Sequence, residues 1–216
     1  MNRGDMKRAR KAAAIARTEA ALVPVIDAMA MAQVVARVMR AASDRRGSDC
    51  TVHAAMLAEM IGPEARIVLG HAAWRVGQGA GDVIAHHPAA NGAVQVGGAF
   101  MGHAWVELGD WIIDATAWQW GHKLAVLDAL DGRRSLVAWP AEMLAIDRKS
   151  IKSFWHVQQS NKFAAHYEEV PGMDRFMCGP VDRVALALAR EAYANPTIAL
   201  IGAEMTEHEL AAELSA

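Results

Sequence analysis

The sequence predicts an α+β domain in which a short helix packs on an antiparallel β-sheet, with extra helices toward the N- and C-terminal ends. Three observations predict it. The run GHAWVELGDWIIDATAW, at 102–118, has two apolar-rich segments flanking Gly109-Asp110, the composition of a two-residue hairpin turn. The run CTVHAAMLAEMI, at 50–61, lies between the polar stretch SDRRGSD and Gly62-Pro63. Ser48 or Asp49 suits the N-cap of a helix there, and Gly-Pro suits its stop. The alanine-rich run from Met6 to Ala42 reads as helix, with a break or kink expected at Pro24.

The remaining elements follow in chain order. ARIVLGHAAWRV, at 65–76, is rich in β-branched residues and reads as a strand, GQGAGD as a flexible turn, and 83–86 and 93–96 as short strands. A helix is expected near 123–130, closed by a turn at Gly132. SFWHVQQSNKFAAHYEEV holds one further strand, PGMDRFMCGP is loop, and a helix runs over about 181–194, ending before Asn195-Pro196. A last short helix starts at Thr206, where Thr206 and Glu209 fit a capping box.

Composition narrows the classes of function. A formal net charge of −2 over 216 residues provides no field to gather nucleic acid or acidic membrane, so neither is an expected partner. No uncharged apolar run approaches about 20 residues, so no transmembrane helix is expected. The basic N-terminal stretch is interrupted by Arg17, Glu19 and Pro24, unlike a signal peptide. A cytoplasmic location follows, and with it reduced thiols at Cys50 and Cys178. The oligomeric state is not legible.

Cys50 stands at the first or second position of its helix. A helix N-terminus places unpaired N–H groups and the positive end of the dipole beside the thiol, which favours the thiolate, and the same N–H groups suit an oxyanion. A lone cysteine is more often a small buried hydrophobe. The hairpin changes the balance. With Gly109-Asp110 as the turn, Leu108 faces Trp111, Glu107 faces Ile112 and Trp105 faces Asp114. Side chains alternate with period two, so His103, Trp105, Glu107, Ile112, Asp114 and Thr116 share one face. His103 and Asp114 are then diagonal neighbours about 7–8 Å apart at the backbone, within reach of an imidazole–carboxylate hydrogen bond. An imidazole that takes a thiol proton, with a carboxylate that fixes its tautomer, is what thiol catalysis requires. A turn of odd length would put Asp114 on the other face.

A cysteine at a helix start, followed by HAWVE, a short turn and W-x-x-D, resembles the core of the transglutaminase-like superfamily, which is related to papain-like peptidases and arylamine N-acetyltransferases. The matching positions are Cys50 in SDCTVHAA, His103 in GHAWVEL and Asp114 in WIIDAT, in the family order. The resemblance covers roughly residues 40–120. It implies a papain-like α+β core with the nucleophile helix packed on the sheet, and a Cys50-His103-Asp114 catalytic triad working through a thioester without a cofactor. It divides the chain into an N-terminal helical extension, 1–42, packed on a transglutaminase-like catalytic domain, 43–216. The segment before Cys50 reads Asp44-Arg45-Arg46 and lacks the glutamine of a papain-like oxyanion hole. Backbone N–H groups, Trp105 and Gln95 are the remaining oxyanion candidates, and Trp118 is a candidate cleft wall.

Other constellations are weaker. Adjacent histidines on a strand point to opposite faces, so His86-His87 is a poor chelating pair, and no HExxH or CxxC spacing occurs; with His71 and His103 considered too, no metal site is expected. His53 reads as an ordinary helix residue, Glu107 as an exposed or sheet-edge residue, and Cys178 as a rival nucleophile without a placed imidazole–carboxylate pair. The expected function is a thiol-dependent acyl-transfer enzyme, an amide or peptide hydrolase or an amine acyltransferase, acting on a peptide, protein or small acyl or amide substrate. The alternative is a catalytically inert domain of the same fold that binds a peptide or protein partner.

Overall fold

The computed structural model describes residues 3–42, 50–89, 102–139, 144–177 and 180–196. In chain order these form α1 (Arg3–Ala42), α2 (Cys50–Ile61), β1 (Arg66–Arg75), β2 (Val83–His86), β3 (His103–Leu108), β4 (Trp111–Asp114), α3 (Trp120–Asp131), β5 (Leu144–Asp147), α4 (Phe154–Gln159), β6 (Ala164–Glu169) and α5 (Arg183–Ala194). The α+β class is as expected. The expected strand at 93–96, the loop at 43–49 and the helix from Thr206 lie outside the described residues.

Two local details sharpen the expectations. α1 runs on through Pro24 without ending there, although proline lacks the N–H that an interior helix position would donate. The segment around 154–159 is helix α4, started by Ser153, whose hydroxyl accepts from the His156 N–H; the strand begins only at Ala164. Two apolar rings at the start of SFWHVQQ resemble strand composition, but the serine cap decides for a helix.

Every strand pairing is antiparallel. β1 organises the sheet. One of its edges pairs with β6 over Gly70–Arg75. Its other edge is shared end to end, Arg66–Gly70 by β3 and Ala72–Arg75 by β2. β4 and β5 continue outward from β3. The β3–β4 register is the expected one, with Leu108 opposite Trp111 and Glu107 opposite Ile112, and Gly109 takes the positive φ of +57° that the tight turn needs. Gly70 is required for a different reason. A Cβ there would stand 1.9 Å from the Glu168 carbonyl oxygen, so any side chain would push β6 off β1.

Alternation along the strands sorts two cores. On one face Leu69, Ala104, Val106, Ile113 and Ala115 pack with α1, α2 and α5. On the other Val68, Ala72, Trp74, Trp105, Ile112 and Tyr167 pack with Trp120 and Leu124 of α3. In α1 the spacing of Val25, Ala28, Ala32, Val35 and Met39 makes one buried stripe, and the helix packs on α5, α2 and β4. By length and mean hydropathy (1.6), Leu22–Ala41 also passes as a membrane-crossing helix. Its buried stripe and the charges of Asp27, Arg37 and Arg40 are those of a core-facing helix.

Glu107 corrects another expectation. It is buried (5 % exposed), and its carboxylate is held by Arg66, by Arg148 and by the Trp105 indole N–H at 3.3 Å. Arg66 in turn pairs with Glu169 at 2.7 Å, so the network ties β3 to β1, β6 and the residue after β5.

Candidate active site

The shared edge of β1 creates the site. His103, the first residue of β3, stands opposite Gly70, and His86, the last of β2, stands opposite Ala72. The two imidazoles therefore meet on one face and stack, with ring centres 5.4 Å apart. Tyr167 of β6 joins the same face from the far side, opposite Ala72. α2 lies against β3 and β1, and its first residue, Cys50, is at the end nearest the start of β3.

His103 is fully buried, and its Nε2 lies 2.7 Å from Asp114 Oδ2. Asp114 is over-determined. Its Oδ1 accepts from the Thr116 N–H at 2.9 Å and hydroxyl at 2.7 Å, and its Oδ2 also accepts from the Tyr167 hydroxyl at 2.8 Å. Tyr167 is itself fixed by the Trp74 indole N–H at 2.8 Å. Each bond restrains the carboxylate, and with it the imidazole plane. His103 Nδ1, the other ring nitrogen, is buried and makes no hydrogen bond. Cys50 nonetheless lies close enough to shift its proton affinity.

Burial alone would push the Cys50 thiol up. The neighbouring His103 imidazole, and then the Lys123 ammonium and the Ala104 N–H, pull it the other way, and the net shift is downward. Burial alone would lower His103, but the Asp114 carboxylate and Cys50 raise it to about 9. Asp114 resists burial through His103 and Thr116 and stays well below the usual carboxylate range. Tyr167 is held protonated by burial and by the Asp114 charge, so it remains a donor. His86 is driven well below its usual value by burial and by the Lys123 and His103 charges. As a neutral ring its Nε2 accepts from Lys123 Nζ at 3.1 Å. These directions favour a thiolate–imidazolium pair at Cys50 and His103, with a neutral imidazole and an ammonium beside it.

The structure thus brings Cys50, His103 and Asp114 together. Among the secondary candidates, Trp105 is corrected as an oxyanion donor: its N–H is committed to Glu107, and its ring flanks His103. Trp118 is half-buried and lies against α2, donating from Nε1 to His53 Nε2 at 3.4 Å, one turn beyond Cys50. His53, a helix residue as expected, is fully buried in this wall. Gln95 and Cys178 lie outside the described residues. The residues that sequence did not place here are Trp74, Tyr167, Lys123 and His86, the last weighed only as a chelator. Tyr167 had one signal, its alternation within AAHYEE, but which strand it pairs with is set by a contact across the whole chain. A described groove of about 490 Å³ between Ala58, Gly62, Pro180 and Arg183 lies at the opposite end of α2 and has no part in this chemistry.

No protein-family model and no curated protein matches the chain. A crystal structure described only as a genomics target is similar over 78% of each chain, with 21% identity and a TM-score of 0.47. That likeness is too slight to bear on function.

Proposed function

We propose that the protein is a thiol-dependent acyl-transfer enzyme, a hydrolase of amides or peptides or an amine acyltransferase, with Cys50 as nucleophile. The observation that carries the proposal is the ordered line Cys50–His103–Asp114, with Asp114 locked by Thr116 and Tyr167. The Cys50 thiolate attacks the substrate carbonyl carbon, and the oxygen takes up the negative charge beside the free N–H groups at the start of α2. Collapse forms the thioester and breaks the bond to the leaving group, which receives the proton from His103 Nδ1. Water or an amine then gives its proton to His103 and attacks the thioester, releasing the acyl product and restoring the thiolate. Asp114 keeps Nε2 protonated and the ring oriented throughout. A transglutaminase-like core and a reducing, cytoplasmic setting for the free Cys50 thiol belong to the same proposal.

One observation favours a second reading, a catalytically inert domain that binds a peptide or protein. His103 and Asp114 are almost without solvent exposure. The two readings part on acylation. With an activated ester as acyl donor, the enzyme gains one acyl mass on Cys50, removable by hydroxylamine and absent in Cys50→Ala. A chain that stays unacylated at Cys50 under conditions that acylate a free thiol supports the inert domain.

A further inference from the structure

The face of the sheet opposite His103 and Asp114 carries a second cluster. His86 turns toward His103, so the next residue, His87, points the other way. There it meets His71 of β1, with ring centres 4.9 Å apart. His71 is paired directly with Glu168 of β6, two residues from His166. Three strands therefore set His87, His71 and Glu168 in one row, with His166 on the diagonal. One ligand atom from each of His71, His87 and Glu168 falls within 4.8 Å of the others. Glu168 Oε2 is 3.9 Å from His71 Nδ1, 3.9 Å from His87 Nε2 and 3.6 Å from His166 Nε2.

Two details point to a ligand. The Nδ1 of His166 is 2.8 Å from the Lys152 carbonyl oxygen and must carry the proton. Its Nε2 therefore presents a lone pair to the cluster, and that atom is buried with no hydrogen-bond partner. This is the tautomer lock that metal-binding histidines use, with the non-ligating nitrogen bound to a carbonyl. His87 is also fixed, stacked flat on Phe154 of α4 with ring centres 4.1 Å apart. The Glu168 side chain is 57% exposed, which gives it freedom to swing and leaves an entry path.

We infer that His71, His87, His166 and Glu168 form a binding site for a divalent metal ion of the zinc class, on the sheet face opposite His103 and Asp114. Three imidazoles and one carboxylate suit a borderline cation better than magnesium or calcium, which prefer oxygen ligands. Tetrahedral zinc with bonds of 2.0–2.1 Å needs donors roughly 3.3 Å apart, so the His71, His87 and Glu168 atoms, now within 4.8 Å of one another, close inward around the ion, and His166 reaches it from beside Glu168. With four protein ligands the site is closed, hence structural. It would pin the end of β2 to β1 and β6, directly behind His86. The expectation of no metal site rested on His86-His87 as the chelating pair. Those rings do point apart, but the register supplies His87 with different partners.

The test uses the full-length chain carrying Cys50→Ser, so that zinc cannot bind the thiol, stripped with chelator and titrated with zinc chloride by calorimetry. One zinc per chain is expected, weakened about tenfold or more by His71→Ala and by His87→Ala and unchanged by His103→Ala. Glu168→Gln, at an exposed side chain, preserves the fold and should also weaken binding. Zinc should raise the thermal midpoint of the parent chain and not that of His71→Ala. Absence of stoichiometric zinc, or an affinity lost with His103→Ala and indifferent to His71→Ala and His87→Ala, would overturn the site.

Discussion

His103 Nε2 is bound to Asp114 Oδ2 at 2.7 Å while its Nδ1 is buried without a hydrogen bond beside Cys50. One nitrogen holds the ring and the other is left for the thiol. The hairpin makes this division possible, because the carboxylate approaches from β4 and the cysteine from the end of α2.

Asp114→Asn keeps the shape and removes the charge. It should cut the rate of Cys50 acylation by about 10³–10⁴-fold, because Asn no longer enforces the productive tautomer or supports the imidazolium. Tyr167→Phe, which removes one of several donors to Asp114, should cost only about 1–2 kcal/mol of stability and a smaller part of the rate. Equal rate losses in the two variants would contradict this ranking. Stability should follow the sign of the Asp114 shift. The folded carboxylate sits below its ordinary value of 3.8, so its contribution is present above that pH and is lost as pH falls through the folded value. Denaturant unfolding at pH 7 and pH 3 should show the gap between wild type and Asp114→Asn narrowing in acid.

Lys123 acts on Cys50 through charge. Lys123→Met keeps the bulk and removes the charge, so the thiol should titrate at higher pH than in wild type, with the His103–Asp114 pair intact. The same substitution removes one of the charges that keep His86 neutral. Thiolate absorbance near 240 nm against pH measures the shift. An unchanged or lowered thiol pKa would remove Lys123 from the site.

Glu107 is a structural charge. Glu107→Ala leaves the Trp105 indole N–H and Arg148 without this acceptor while Arg66 keeps Glu169, and should cost about 1–3 kcal/mol in urea unfolding. A cost below about 1 kcal/mol would place the ion pairs with ordinary surface bridges.

Gly70 tests the sheet itself. Gly70→Ala puts a methyl group against the Glu168 backbone, which cannot yield as a flexible side chain can. The expected loss is about 2 kcal/mol or more, through separation of β6 from β1. Because β6 carries Tyr167, near-ultraviolet circular dichroism from the Trp74–Tyr167 contact should fall with it.

Local patterns were legible in sequence and distant pairings were not. The His103–Asp114 contact followed from a two-residue turn and a period of two, because both residues lie on one hairpin. α2 followed from its caps. The places of Trp74, Tyr167 and His86 in the site were not legible because they depend on β1 pairing with β2 and β6, and β6 lies over ninety residues further along the chain. Glu107 was misplaced because its burial depends on Arg66 and Arg148, which belong to other elements. α4 was not named because its six residues make too short a periodic run to stand out before the strand that follows.

The central claim is that Cys50 is a thiolate made by His103. Its most direct measurement is the rate of alkylation of Cys50 by iodoacetamide from pH 5 to 10, with the modified residue mapped by mass spectrometry in wild type and His103→Ala. The Cys50 pKa is lowered and that of His103 is raised to about 9, so thiolate reactivity should appear at a pH below that of an ordinary thiol. A second inflection near pH 9 should follow as the imidazolium loses its proton. At pH 7 Cys50 should react ahead of Cys178, and His103→Ala should slow it by about tenfold or more and return it to a single ordinary thiol titration. Equal, slow labelling of Cys50 and Cys178, with one ordinary thiol profile unaffected by His103→Ala, would contradict the account.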